Sequence, residues 1–189
     1  MWLMRAAYVV ALGVVVAGLV HIGSLLGVPR VATQGPYERL ARLDTEGRFA
    51  LLPDTGDKVD LLPFRDPAFV TAACRYDLAK GPVVLRAELP ATYGALTVHS
   101  RLGQPFYLLT DKAARDGRVE VKIFANEEQA TAEEEAAPDD APQLRIVSPT
   151  PTGFALVRLF TPGESAREGL RAIASRAGCS SPSGSKVNP

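Results

Sequence analysis

Residues Ala6 to Val28 contain no charged side chain, and Arg5 and Arg30 stand on either side. The stretch reads AAYVVALGVVVAGLVHIGSLLGV. As a helix rising about 1.5 Å per residue it would extend about 34 Å, enough to cross a hydrocarbon core of about 30 Å. The expected architecture is therefore a membrane anchor over 1–30, one domain over 31–179, and a Ser/Pro/Gly-rich tail over 180–189 for which disorder is expected. A cleaved signal peptide and a buried core helix are the alternatives to an anchor. The stretch exceeds the apolar core of about 7–15 residues usual in a signal peptide, although a cleavage-like site stands at Val31-Ala32-Thr33. His21 lies within the span. It is a functional candidate there, or a residue hydrated near the interface.

The 21 basic and 21 acidic residues balance over the whole chain. Arg5 and Arg30 are the only charges in residues 1–30, so the 159 residues beyond hold 21 − 2 = 19 basic and 21 acidic groups. No basic patch points to nucleic acid. Fifteen prolines and 16 glycines favour short elements joined by turns over long helices. The charges flanking the apolar stretch do not by themselves favour a cytoplasmic N-terminus, because Arg30, Arg39 and Arg42 follow it.

Past the anchor, Pro36 at a first helical position, with Tyr37, Leu40 and Leu43 on one face, predicts a helix over 36–43. Arg48–Leu52 reads as a short strand and Asp54–Asp60 as a polar turn. Asp66-Pro67 resembles a helix start and predicts about two turns to Ala73. Cys74 to Leu78 alternates as a strand, with Cys74, Tyr76 and Leu78 on one face and Arg75 and Asp77 on the other. Val83–Leu89 follows, and Tyr93–Ser100 with Phe106–Thr110 forms a hairpin. Val119, Val121 and Ile123, alternating with Arg118, Glu120 and Lys122, mark the cleanest half-buried strand. Leu144–Val147 and Phe154–Phe160 read as a second hairpin. The seven acids of Asn126–Pro142 read as a solvated loop with at most one helical turn. Ser165 and Glu168 form a capping box for a helix ending near Ala177, with Gly178 as its stop. The fold class expected is α+β: a transmembrane helix, then a mainly antiparallel, sandwich-like β domain with a few short helices.

The catalytic inventory is small. Beyond the anchor there is one histidine, His99, and no HExxH, GxSxG, paired metal-ligand spacing or phosphate-binding glycine loop. No cofactor or metal is expected. Arg75, Tyr76, Asp77 and His99 are the candidate binding residues if the domain has a pocket. Read as structure, they are an ion pair, a core tyrosine and a surface histidine. Cys74 and Cys179 are the only cysteines. In an oxidising compartment they can bridge; otherwise they are two thiols, one of which could serve as a nucleophile beside His99.

Several short motifs carry a family resemblance: Asp66-Pro67-Ala68-Phe69, Cys74-Arg75-Tyr76-Asp77-Leu78 and Gly81-Pro82-Val83. Further matches are Leu89-Pro90 with Tyr93, Phe106-Tyr107, Asp111-Lys112-Ala113-Ala114, and Gly153 to Arg158. Over about Tyr37 to Cys179 the chain resembles the bacterial domain of unknown function number 1254, in its short membrane-anchored proteobacterial form. The resemblance implies location and partnership and supplies no catalytic residue. Larger relatives fuse this domain to a domain of unknown function numbered 1214, which implies for a short member a second anchored protein carrying that companion. Together with the two cysteines it implies a single-pass protein of the bacterial inner membrane with its domain in the periplasm. The expected role is binding a partner without catalysis; the alternative is a periplasmic enzyme or small-ligand binder built on the Arg75, Tyr76, Asp77 and His99 cluster.

Overall fold

The computed structural model describes residues 1–31, 35–53, 61, 66–136 and 144–180. The expected turn at Asp54–Asp60 and residues 181–189 of the expected tail lie outside the described residues, while Ser180, the first residue of that tail, is in a strand. The chain divides into two units, 1–34 and 35–189.

In the first unit, α1 runs from Trp2 to Val31. Its Trp2–Val28 portion has a mean hydropathy of 2.4 and is long and apolar enough to cross a membrane. None of its residues from Trp2 to Val28 is buried, unlike the one-sided burial of a surface helix on a soluble core. Ser24 turns its hydroxyl back to the Val20 carbonyl at 2.5 Å, so this polar group is satisfied within the helix itself.

The second unit is a β-sandwich. The short helix α2 (Pro36–Leu40) leads to β1 (Ala50–Leu51), β2 (Phe69–Asp77), β3 (Val83–Glu88), β4 (Gly94–Ser100), β5 (Pro105–Thr110) and β6 (Arg118–Phe124). Then come α3 (Glu127–Ala136), β7 (Leu144–Val147), β8 (Thr152–Phe160), α4 (Glu164–Ser175) and β9 (Gly178–Ser180). One sheet has the order β1-β2-β8-β4-β5 and the other β7-β6-β3-β9. Every pairing is antiparallel except β6 with β7. The core lies between the sheets. Val70, Ala72, Cys74 and Tyr76 of β2 and Ala155, Val157 and Leu159 of β8 meet Leu85 of β3 and Val119, Val121 and Ile123 of β6. Period-two burial along each strand produces this directly.

The α+β expectation holds, and so does the first hairpin: β4 and β5 pair, with a bulge at Val98/His99. Four local readings need correction. Residues 69–73 are strand, not helix. Asp66 Oδ1 accepts from the Ala68 N–H at 2.8 Å, a local turn, and all nine residues of β2 pair with β8. That ladder outweighs any local helix start. Leu144–Val147 and Phe154–Phe160 do not form a hairpin. β7 pairs parallel to β6 and β8 lies in the other sheet, because the Pro149–Thr152 segment crosses between layers. The acidic stretch holds a ten-residue helix, α3, which serves the β6–α3–β7 crossover. Asn126 Oδ1 accepts from Gln129 N–H at 2.9 Å and caps it. Finally, α4 starts one residue before Ser165, at a Gly163 cap with no side-chain cap bond. Glu164 pairs instead with Arg167, and Arg167 also donates to the Pro67 carbonyl at 2.9 Å.

Cys74 and Cys179 are joined by a disulfide, Cα atoms 6.5 Å apart. Cys74 stands on β2 opposite Ala155 and Cys179 on β9 opposite Leu85. The bond therefore crosses the core and ties one sheet to the other. It removes Cys74 as a candidate nucleophile.

Candidate functional site

Register places Arg75 of β2 opposite Phe154 of β8, and Phe154 opposite His99 of β4. Arg75 and His99 thus lie in one row on the outer face of the five-stranded sheet. Their ends are used differently. Arg75 Nε donates to Thr45 Oγ1 at 3.0 Å, its guanidinium lies 5.0 Å from the Tyr37 ring centroid, and Glu46 is 3.8 Å away. Arg101 also stacks on Tyr37, at 5.4 Å, while pairing with Glu38 at 2.6 Å. These contacts clamp α2 onto the sheet, above a small apolar cluster of Leu40, Leu52, Ala73 and Phe154. A guanidinium on an aromatic face contributes about 0.5–2 kcal/mol depending on desolvation.

His99 stacks flat on Phe154, ring centroids 4.8 Å apart and planes 4° from parallel. Its Nδ1 faces the Gly103 carbonyl at 3.1 Å and its Nε2 the Thr97 hydroxyl at 2.9 Å. A carbonyl only accepts, so the proton belongs on Nδ1 and Nε2 accepts from Thr97. Burial pushes the imidazole pKa down, against a smaller upward pull from the Gly103 hydrogen bond. The ring is held neutral and fully occupied.

Tyr76 points the opposite way, into the core, with 2% of its surface exposed. Its hydroxyl donates to the His99 carbonyl at 3.1 Å and lies 3.2 Å from Ser148 Oγ. Ser148 in turn donates to the Thr150 carbonyl at 2.7 Å. Burial pushes the phenol up to about 12. Asp77 Oδ1 accepts from the Ala79 N–H at 3.0 Å and caps the short 3₁₀ turn at Leu78–Lys80. The four residues therefore share one sheet region but not one cleft. Tyr76 faces inward, the other three face outward, and each has a structural partner. Among the described residues no group of three or more His, Cys, Asp or Glu is placed to hold a metal ion.

A concave site occurs elsewhere. A groove of about 920 Å³ has an apolar lining of Ala87, Tyr107, Leu109, Val119 and Leu144. Arg86, Arg115, Arg118 and Arg176 also border it. Its volume lies in the range of pockets that bury small ligands. Arg86 is neutralised by Glu120 through contacts of 2.6 and 3.1 Å, and Arg176 by Glu88 at 3.3 Å. None of these arginines was singled out from the sequence. The signal available was Asp116-Gly117 between two arginines, since that dipeptide marks a two-residue turn that sets its neighbours face to face.

No protein-family model and no curated protein matches the chain. Several solved chains are similar, two of them as follows. The VPA0106 protein from Vibrio parahaemolyticus superimposes with a TM-score of 0.55 at 8% identity, over 78% of this chain and 34% of that one. An uncharacterised protein from Burkholderia cenocepacia gives a TM-score of 0.40 at 16% identity, over 60% of this chain and 32% of that one. The chain spans about a third of the length of the solved proteins it resembles, and the first likeness shows a shared fold.

Proposed function

We propose that this chain is a single-pass envelope protein whose β-sandwich stands on the periplasmic side of a bacterial inner membrane and binds a second protein without catalysing a reaction. The observation that carries the reading is β5. It ends its sheet, pairing with β4 alone among the described residues. Its six residues, PFYLLT, carry no charge, and Leu108 is 56% exposed. Pro105 and the bulge at Val98/His99 guard one end of this edge, but no charge guards the rest, and an unpaired apolar edge accepts another strand. A partner adding a strand here would gain main-chain hydrogen bonds and cover Leu108.

The rest of the reading has separate supports. The apolar helix supplies an anchor, and the disulfide fits an oxidising compartment. The fold recurs in a Vibrio protein of which this chain covers 34%, which is in keeping with a domain that works beside further polypeptide. The resemblance to the domain of unknown function 1254 names a candidate: an anchored protein carrying the companion domain 1214.

The test is affinity capture of the full chain from detergent-solubilised membranes, with bound proteins identified by mass spectrometry. A protein carrying the companion domain should be captured by the parent and lost with Leu108→Lys. Capture without any such protein, or capture indifferent to Leu108→Lys, would overturn the proposal.

A further inference from the structure

Arg115-Asp116-Gly117-Arg118 closes on itself. The Arg115 N–H donates to the Arg118 carbonyl at 3.0 Å, and the Arg118 N–H to the Arg115 carbonyl at 2.9 Å. Asp116 and Gly117 have φ of 51° and 73°, the paired positive angles of a type I′ turn. The Gly117 carbonyl accepts from the Leu89 N–H at 2.7 Å, which fixes the turn to the end of β3. Residues exchanging both hydrogen bonds stand directly opposite, about 5.5 Å apart at Cα, with side chains on one side of the ribbon. Two exposed arginine side chains thus leave the same side of one short turn, with Asp116 between them in sequence. Like charges in that relation are destabilising. Neither side chain has an ion pair or hydrogen bond among the described residues.

Both arginines border the 920 Å³ groove. Glu120 pairs with Arg86 and Glu88 with Arg176, Glu88 also standing opposite Arg118 in the β3–β6 register, so the four arginines bordering the groove outnumber its two glutamates. The apolar surface offered comes from Tyr107 and Leu144, over a floor of Ala87, Leu109 and Val119 that is at most 9% exposed. We infer that this groove binds a single-chain anionic amphiphile, with its carboxylate or phosphate head between Arg115 and Arg118 and its hydrocarbon chain on the apolar lining. A planar guanidinium takes such a head through two parallel hydrogen bonds. A polyacidic peptide would need unmatched cations along the groove, where the remaining charges are already paired. A bare anion would leave the apolar lining unused.

The test uses the full chain in nanodiscs of zwitterionic phosphatidylcholine, titrated with decanoate by calorimetry, with empty nanodiscs as the blank. Decanoate should bind saturably, and acetate and decanol each much more weakly. Arg115→Gln with Arg118→Gln should weaken decanoate by about tenfold or more, and Arg118→Gln alone should give part of that loss. Both variants should melt close to the parent, because both side chains are exposed. Unchanged decanoate binding in the double variant would overturn the inference. Acetate equal to decanoate would mark a simple anion site, and decanol equal to decanoate a general apolar surface; either result overturns it. Tighter binding of a glutamate-rich peptide would do the same in favour of an acidic protein segment.

Discussion

Gly153→Ala should be among the most damaging single-methyl changes in the domain. Gly153 lies on β8 between Tyr76 of β2 and Ser100 of β4. A Cβ at Gly153 would run into the Tyr76 hydroxyl oxygen and the His99 carbonyl oxygen. The first can retreat only by giving up its bond to the His99 carbonyl, worth about 0.5–1.5 kcal/mol, and its contact with Ser148. The second belongs to the β4 backbone and cannot move without distorting the β4–β8 ladder. Overpacking of this kind costs about 1–3 kcal/mol, so the sum centres on about 3 kcal/mol. For a domain of this size that lowers the melting temperature by about 6–12 °C. The assay is thermal unfolding of the full chain in detergent, followed at the β-sheet circular dichroism minimum. Gly169→Ala is the control of opposite sign. It sits within α4 with nothing within 4 Å of the added methyl and should gain about 0.5–1 kcal/mol from helix propensity. Tyr76→Phe in the Gly153→Ala background should recover only part of the loss, since the His99 carbonyl remains. A fall below about 3 °C, or full recovery with Tyr76→Phe, would refute the reasoning.

Replacing both Cys74 and Cys179 by Ala should cost about 3–5 kcal/mol, because the bond closes a loop of 105 residues, for which chain entropy gives about 4.8 kcal/mol; urea unfolding of oxidised and variant protein checks this, and equal midpoints would count against it. His99, with its pKa held below 6.5 by burial, is neutral in both states at high pH, so its effect begins only as the unfolded chain gains a proton below about 6.5. Stability should therefore fall as pH drops from about 6.5 toward the lower folded value and then level off, and His99→Gln should remove that slope in acid titrations of the melting temperature. A reporter active only in the cytoplasm, fused after Thr33, should give no signal, whereas a strong signal would reverse the proposed orientation.

How far the sequence reading reached depended on whether the deciding contacts were local. The period-two pattern of Val119, Val121 and Ile123 made β6 legible, and Gly103-Gln104-Pro105 made the β4–β5 hairpin legible. The Asp66-Pro67 start misled because its local turn is compatible with either continuation, and pairing with a strand about eighty residues on decides between them. The same holds for β7, whose partner is β6 across a helix rather than its sequence neighbour. The ten-residue α3 was hidden because excess negative charge resembles a solvated loop, while its single-residue Asn126 cap is easily missed. Of the candidate residues, the sequence placed Tyr76 and Arg75 on opposite faces correctly. Their partners, Ser148 and Thr45, come from distant segments and left no local trace. The groove was illegible for a related reason: it draws on β3, β5, β6, β7 and the end of α4, and no window of sequence holds its outline.

The cross-sheet cysteine pair also governs when the domain can be completed. In the proposed orientation, Cys74 would reach an oxidising compartment 105 residues ahead of its mate. At synthesis rates of about 5–20 residues per second that interval is about 5–20 s. Throughout it, the five-stranded sheet lacks β8 or has only just acquired it, and the first thiol waits with no partner in its own chain. With two cysteines in the sequence, only one internal pairing exists. Maturation therefore calls for an oxidant and no isomerase, and the hazard during the wait is a bond to a neighbouring chain rather than a misplaced bond within this one.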